Sequence, residues 1–158
     1  MNQKAKTNYT ILSNCINNEL LDHVKEYKII NDDLTFDSIK EIIRGSDFEK
    51  IIFNETLRRF SLDEISELLL LLQEKNICFI NITSNIEETL FSDYTYVLDK
   101  NKVIMEGNTH DILKEEKLLK RFGFGLPFVV DLSTQLKYYK LLDQIYYDMD
   151  SLVSKLWN

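Results

Sequence analysis

Glycine, proline and cysteine are scarce in this chain. Its 158 residues include four glycines, one proline and two cysteines, while 44% of the residues are hydrophobic. This composition is typical of a compact globular protein, long enough for a real core, and it excludes a disordered or disulfide-rich chain. Cys15 and Cys78 lack the paired spacing of a zinc site, so we expect two reduced structural thiols.

Long apolar runs and basic clusters are also missing. The longest purely apolar runs, such as residues 68–72, are far below the roughly 18 residues that span a bilayer. Lys4 and Lys6 are not followed by an apolar segment, so a signal peptide is not predicted. The net charge of −7, without a basic stripe, excludes nucleic acid as the expected partner. We therefore expect a cytoplasmic protein.

Apolar periodicity predicts alternating strands and helices as far as residue 105. The predicted strands are 9–13, 28–30, 49–53 and 77–82; the predicted helices are 19–27, 35–44, 62–75 and 86–91. A hairpin follows, with strands 95–98 and 103–105. Such alternation favours an α/β fold with a mostly parallel open sheet, covering helices and an antiparallel hairpin at one edge.

Several residues mark where the predicted helices begin and end. Gly45 is predicted to close the second helix as its C′ residue, Ser61 and Glu64 form a capping box, and Asn76 is predicted to take the left-handed turn that ends the third helix. Thr109 is predicted to cap a helix reaching Phe122. After a turn at 123–127, helices are predicted over 128–142 and 150–157. We therefore divide the chain into an α/β core, 1–107, and a helical C-terminal extension, 108–158.

Two segments resemble the ATPase domain of ABC transporters. The run Lys50-Ile-Ile-Phe-Asn-Glu55 is similar to the family's Walker B strand, which ends in Asp-Glu. The stretch 82–107 follows the family order of Thr-His-Asp, short helix, Ala-Asp, strand, Asp-Lys-Gly-Lys and a strand closing on Glu-Gly. This resemblance implies a P-loop NTPase-like fold in reduced form.

The C-terminal extension narrows the resemblance to the ATPases of energy-coupling factor (ECF) transporters. Residues 118–136, with their Lys-x-x-Gly-x-x-x-Pro-like turn, and the tail 141–157 are similar to the extension of that family. In the family such subunits pair, bind two ATP molecules and drive a membrane scaffold protein. The resemblance implies that an interface patch lies among six residues of the extension: Phe122, Phe124, Leu126, Phe128, Val129 and Leu132. The alternative, which we favour for most of them, is that they cover the chain's own core.

Aromatic residues are frequent in the tail, and Tyr and Trp are enriched at protein interfaces. The tail is thus the best-supported binding surface in the sequence. These aromatic residues are Tyr138, Tyr139, Tyr146, Tyr147 and Trp157.

The phosphate-binding loop of the family is missing. No glycine precedes Gly45, and the only Lys followed by Ser or Thr is Lys6, which has no strand ahead of it. Residues 14–18 occupy the place of that loop, between a predicted strand and helix, and we interpret them as an ordinary connection. We therefore predict a degenerate ATPase that lacks Walker A, with no residues assigned to a cofactor or a metal.

Three candidate catalytic positions remain from the family pattern. Glu55 keeps the place of the general base, in vestigial form; Asn54 replaces the Mg²⁺-binding aspartate; and Ser84 replaces the switch histidine. The alternative for Glu55, which we favour, is a surface carboxylate in a strand–helix loop. Arg58 and Arg59 either bind an anion or an acidic partner, or belong to a solvated loop.

The sequence therefore predicts a non-catalytic ABC/ECF ATPase-like protein that acts as a pairing or regulatory module and needs no cofactor. The expected partners are a second copy or a complete ABC/ECF ATPase, with peripheral contact to a membrane transporter scaffold at the inner face of the cell membrane. A second hypothesis is a subunit that completes an ATP and magnesium site with another chain. A third is a small-molecule binder that uses the crevice at the strand ends.

Overall fold

A single sheet organises the part of the chain that the computed structural model describes, residues 7–14 and 27–157. Its strands are β1 (Tyr9–Ser13), β2 (Lys28–Ile30), β3 (Lys50–Asn54), β4 (Cys78–Thr83), β5 (Tyr94–Asp99) and β6 (Lys102–Asn108). The strand order is β2-β3-β4-β1-β5-β6. All neighbouring pairs are parallel except β5 and β6, which form the antiparallel hairpin. The predicted fold class is confirmed.

Helices connect the strands and form the C-terminal extension. They are α1 (Phe36–Arg44), α2 (Leu62–Glu74), α3 (Thr109–Ile112), α4 (Glu116–Arg121), α5 (Phe128–Tyr138) and α6 (Met149–Trp157). Two 3-10 helices, Leu57–Arg59 and Ile86–Phe91, follow β3 and β4. Within ranges 7–14 and 27–157, no helix combines the length and the apolar character needed to cross a bilayer. The predicted loop 14–18, apart from Asn14, and most of the predicted helix 19–27 lie outside the described residues, as does Cys15.

The predicted ends of α2 are confirmed. The Ser61 hydroxyl accepts from the Glu64 amide, and the Glu64 carboxylate accepts from the Ser61 amide at 2.8 Å. Asn76 takes the left-handed conformation, with φ of 58°. Gly45 directly follows the last residue of α1 and ends the helix as predicted; its φ is −86°, and its N–H bonds to Glu41 O at 2.9 Å. Helix α1 therefore ends without a left-handed residue.

The extension differs from its predicted helices in three places. Asn108, not Thr109, caps α3, because its side chain accepts from the His110 amide at 3.1 Å. The Thr109 hydroxyl is instead buried against the Thr95 hydroxyl. The predicted helix over 109–122 is divided into α3 and α4, and the predicted helix over 128–142 ends at Tyr138.

Two hydrophobic clusters lie on the same face of the sheet, because side chains of directly paired strand residues point to the same side. In the first, Ile39 of α1 and Leu68 of α2 cover Phe53 of β3. In the second, Leu12 of β1 and Val97 of β5 pack against the extension through four buried side chains: Leu119, Phe124, Val129 and Leu152. The extension is therefore part of the protein's core.

A polar row crosses this same face between strands β4, β1 and β5. Asn81, Thr10 and Thr95 are register partners in successive strands, and all three are fully buried. The 3-10 helix Ile86–Phe91 and the residue after it cover the row, since Glu88 bonds to Asn81 at 2.8 Å and Ser92 bonds to Thr10 at 2.7 Å. We call these residues, together with Thr109, the polar seam.

Candidate functional site

The carboxyl ends of β1, β3 and β4 form one edge of the sheet. Because β1 lies beside β4, and β4 beside β3, the loops that follow these strands are neighbours. Open α/β sheets place ligands at this edge, where connections leave adjacent strands in opposite directions. We call this region the strand-end crevice; it is bordered by Asn14, residues 54–56 and residues 84–87.

Glu55 is held in position by its backbone. Its φ is 52°, in the left-handed region that a non-glycine residue adopts at a cost, and its N–H donates to Ile82 O at 2.9 Å. This bond extends the β3–β4 ladder by one residue and directs the side chain toward the loop after β4. The side chain is only 17% exposed.

Both oxygens of the Glu55 carboxylate face a donor from the same chain. Oε1 accepts from the Ser84 backbone N–H at 2.8 Å. Oε2 lies 2.9 Å from Nη1 of Arg58, an ion pair whose angle does not give a hydrogen bond. The carboxylate therefore bridges the loop after β3 and the loop after β4.

Asn54 is adjacent to Glu55 but its side chain bonds to a different segment of the chain, the one that follows β2. Its Nδ2 donates to Asn31 Oδ1 at 3.1 Å, while its own Oδ1 is buried without a hydrogen-bond partner among the described residues. An amide oxygen contributes no net charge toward a cation, unlike the aspartate of the family pattern. The next residue after Glu55, Thr56, is fully buried and donates to Ile30 O at 2.8 Å, which fastens this loop to β2.

The loop after β4 is shaped by its own polar side chains. Asn85 N–H donates to Thr83 Oγ1 at 3.0 Å, and Glu87 N–H donates to Asn85 Oδ1 at 3.1 Å. Ser84 contributes its backbone to Glu55, while the residue as a whole is exposed. The structure thus brings Glu55 and Ser84 into contact, with Asn54 beside them; their vestigial catalytic role stays a prediction.

The arginine pair after β3 has partners within the chain. Arg58 pairs with Glu55, and Arg59 Nη1 donates to Leu34 O at 3.2 Å. Arg58 is about half exposed. Both guanidinium groups therefore stabilise the 3-10 helix Leu57–Arg59 and its surroundings.

Glu88 lies behind the crevice and was missed by the sequence reasoning. It is 2% exposed, and its Oε1, like Oδ1 of Asn81, has no hydrogen-bond partner within residues 7–14 and 27–157. Burial raises the pKa of Glu88 above its usual value; hydrogen bonds from Asn81, Thr83 and Asn85 lower it, and the Glu55 charge raises it further. Glu87 and Glu88 are adjacent in the sequence, and six helical residues give no periodicity that shows which one is buried.

The described residues do not fit Mg²⁺ and a nucleotide phosphate. Asn54 is neutral with its oxygen buried, and Glu55 is already engaged by Arg58 and by the Ser84 amide. In the part of the chain that the structure describes, no three His, Cys, Asp or Glu side chains converge as metal ligands. The contact observed there is the hydrogen bond from the Ser84 amide to Glu55, which joins the loops after β3 and β4.

A cleft of about 680 Å³ lies at the opposite edge of the sheet, at the amino ends of the strands. Leu69 and Leu70 of α2 line it together with Phe91, and Asn8 and Asp93 form its polar part. Neither Glu55 nor Ser84 contributes to its lining. This cleft and the candidate residues are therefore separate.

Curated relatives match about half of the chain. No model of a known protein family matches the sequence. The ATP-binding protein EcfA1 of an energy-coupling factor transporter from Listeria monocytogenes is 30% identical over 74 residues, 46% of this chain and 26% of the relative. EcfA1 of Caldanaerobacter subterraneus is 36% identical over 73 residues, and EcfA1 of Lactobacillus delbrueckii is 33% identical over 87, which is 54% of this chain and 30% of that protein.

The chain resembles the ATP-binding subunits of ECF transporters. The resemblance predicted from the sequence is thereby confirmed. The matched segments span less than a third of the relatives' length.

Solved structures of ABC ATPases also match the ECF-ATPase-like chain. A bacterial Atm1-family ABC exporter with ATP bound has 18% identity and a TM-score of 0.42 over 48% of this chain and 14% of that one. CbiO1 from Clostridium perfringens, part of the ABC transporter complex CbiONQ, has 21% identity and a TM-score of 0.39 over 60% and 37%.

Proposed function

We propose that this protein is a non-catalytic relative of ECF ATPases that acts as a pairing or regulatory module. The observation that carries the proposal is the closed environment of Glu55. Its carboxylate is held by the Ser84 amide and by Arg58, and the side chain is 17% exposed. A general base must reach the proton it removes, directly or through one water molecule. Glu55 instead joins two loops.

Electrostatics support the same conclusion. Phosphoryl transfer needs positive charge to neutralise the phosphates and a metal ion held by anionic oxygens. Asn54 supplies a neutral amide, Ser84 a neutral hydroxyl, and the Arg58 charge is paired with Glu55. The fold is retained around these changes, with two buried hydrophobic clusters and a complete capping box on α2. Retention of the fold without the charges favours a binding role.

The extension supplies the surface for pairing. Of the predicted interface residues, Phe124 and Val129 are buried in the chain's own core, whereas Phe128 is 63% exposed. At the end of α5 and along α6 lie further exposed apolar residues, which we call the tail patch: Tyr138, Tyr139, Leu141, Val153, Leu156 and Trp157. An ion pair of 3.8 Å between Lys155 and Asp143 brings the end of α6 beside the α5–α6 connection.

The proposed partner is a second copy of the chain or a complete ECF-type ATPase, at the inner face of the membrane next to a transporter scaffold. Two observations support this choice: the curated relatives are ATP-binding proteins of such transporters, and large aromatic side chains such as Tyr138 and Trp157 are the residues that dominate interfaces. The alternative, a subunit that completes an ATP and magnesium site with another chain, is favoured only by the contact between Glu55 and Ser84.

Calorimetric titration with Mg-ATP separates the two functions. We expect no saturable heat and no ATP hydrolysis from the purified chain alone. We expect the same when it is mixed with an ECF ATPase whose own ATPase site has been inactivated. Saturable heat that disappears in Glu55→Gln would contradict the non-catalytic proposal and support the alternative.

Sedimentation velocity tests the pairing role, with the chain alone and with a purified ECF ATPase. Changing Tyr138 and Trp157 to alanine should weaken the association by about tenfold or more, as expected for central aromatic contacts. Lys114→Ala, on the exposed surface of the extension, is the matched control and should leave association unchanged. A chain that remains monomeric and binds no ATPase would contradict the proposal.

A further inference from the structure

Two long-range hydrogen bonds fasten the turn between α4 and α5 to the strand-end crevice. At one end of the turn, Asn14 Nδ2 donates to Phe122 O at 2.7 Å. At the other end, Phe128 N–H donates to Glu87 Oε1 at 2.7 Å. Asn14 follows β1, and Glu87 lies in the segment after β4. We call residues 122–128 the strap, since they join the loops of two neighbouring strands.

The strap is conformationally restricted. Gly123 has a φ of 84°, and a Cβ placed there would lie 3.1 Å from Asn14 Nδ2, so glycine permits the close approach. Phe124 is 4% exposed and anchored in the second hydrophobic cluster, and its N–H donates to Leu119 O at 2.9 Å. These contacts hold residues 123 and 124 of the strap against Asn14, which follows β1, and against the second hydrophobic cluster.

Charge reinforces the attachment at the α5 end. The first amides of a helix lack partners within it, and the helix dipole favours a negative charge beside them. Pro127 precedes α5 and brings no capping side chain, so the Glu87 carboxylate supplies an acceptor for the helix start. This bond joins the crevice to the helix whose far end carries Tyr138.

A series of hydrogen bonds connects the strap to Glu55 through the loop after β4. Glu87 N–H bonds to Asn85 Oδ1 at 3.1 Å, and the residue before Asn85, Ser84, donates its N–H to Glu55 at 2.8 Å. The loop after β4 is therefore bonded to the residue that follows β3 on one side and to α5 on the other. Any rearrangement of this loop changes the partners of both.

We propose that the strap couples the strand-end crevice to the exposed surface of α5 and α6. Movement of the loop after β4 releases the Phe128 amide and loosens α5, while a partner bound to the tail patch holds α5, the strap and both crevice loops in place. This inference rests on the proposed pairing function for its partner, but the coupling within the chain stands by itself. Coupling of this kind is reciprocal.

Hydrogen exchange measured by mass spectrometry tests the coupling within the chain. In Glu87→Ala, we expect exchange to rise about tenfold or more in peptides covering the start of α5 and also at the other attachment, around Asn14 and Phe122. Asn14→Ala should produce the reciprocal effect at Glu87 and Phe128. Glu87→Gln keeps an acceptor oxygen and should restore part of the protection.

Glu116→Gln is the matched control, because it removes the charge of a partly exposed carboxylate of α4 that pairs with Lys120 outside the strap. It should leave both attachments protected. If the increase in hydrogen exchange is confined to the residues next to each substitution, the proposal is overturned. The double mutant Asn14→Ala with Glu87→Ala gives a second test. If the strap is rigid, the second substitution should lower the free energy of unfolding by less than it does alone, so strictly additive losses would also overturn the proposal.

Sedimentation velocity tests whether the strap affects association with the partner. Glu87→Ala should weaken association of the tail patch by about threefold or more although Glu87 is absent from that patch, and Glu116→Gln should not. Unchanged association in Glu87→Ala would overturn the link to pairing. If wild type shows no association at all, the proposed function fails, while the exchange measurements still decide the coupling within the chain.

Discussion

The side-chain amide of Asn81 donates a 2.8 Å hydrogen bond to the Glu88 carboxylate inside the polar seam. Asn81 is fully buried, and Glu88 is 2% exposed. One oxygen of each side chain has no hydrogen-bond partner elsewhere in residues 7–14 and 27–157. Burial penalises the charged carboxylate more than the neutral carboxyl, which raises the pKa of Glu88.

Protonation of Glu88 makes stability depend on pH. Burial raises its folded-state pKa above the usual 4.5, so the folded state binds this proton more tightly than the unfolded state does. The favourable contribution is complete below the unfolded pKa and is lost as the pH rises through the folded pKa. Glu88→Gln removes this dependence. Urea unfolding from pH 4 to 8 should therefore show the variant gaining stability relative to wild type as the pH rises.

A difference between Glu88→Gln and wild type that is the same at every pH would contradict this prediction. Thr89→Val is the matched control, because it alters a buried neighbour in the same 3-10 helix without changing a titratable group. Its difference from wild type should be constant with pH.

The capping box of α2 should contribute measurably to stability. Ser61→Ala removes the acceptor of the Glu64 amide and should cost about 1 kcal/mol of unfolding free energy. Ser66→Ala is the control in the same helix; its hydroxyl bonds back to Leu62 O on an exposed surface, and its loss should be close to neutral. Chemical denaturation of both variants measures the contrast, and equal losses would show that the cap has no special role.

Ser133 joins α5 to the connection that leads to α6. Its hydroxyl is fully buried and accepts from the Tyr146 amide at 2.8 Å. Ser133→Ala leaves that amide without its acceptor and should cost about 1–3 kcal/mol, measured by thermal or urea unfolding. Ser151→Ala, at an exposed position of α6, should stay within about 0.5 kcal/mol of wild type. A neutral Ser133→Ala would show that water replaces the hydroxyl.

The turn of the β5–β6 hairpin holds two non-glycine residues in the left-handed backbone conformation. Lys100 and Asn101 both have positive φ, 47° and 63°, as a type I′ turn requires. The left-handed conformation costs a non-glycine residue roughly 1–2 kcal/mol. The double substitution Lys100→Asn with Asn101→Gly should stabilise the protein by about 0.5–1 kcal/mol. Glycine relieves the backbone strain, but it also loses more conformational entropy on folding, and this loss offsets part of the gain. An unchanged or lower urea midpoint would contradict the prediction.

Local signals in the sequence predicted much of the fold because they act within a few residues. The alternation of apolar strands and helices predicted the parallel sheet, and the capping box at Ser61 and the left-handed Asn76 are found where they were expected. Gly45 ends α1 as expected, with a negative φ. A similar local signal misled at Thr109, whose hydroxyl bonds across the hairpin to Thr95 instead of capping a helix.

What the sequence determined by itself is the order of the elements and their apolar faces. Tertiary structure decided which carboxylates are engaged. Glu55 contacts Ser84, which is 29 positions away in the sequence. Glu88 is buried, whereas Glu87 bonds to the Phe128 amide. No periodicity in the sequence indicates either contact. Strand order brings these loops together, and strand order depends on long-range packing that no window of neighbouring residues contains.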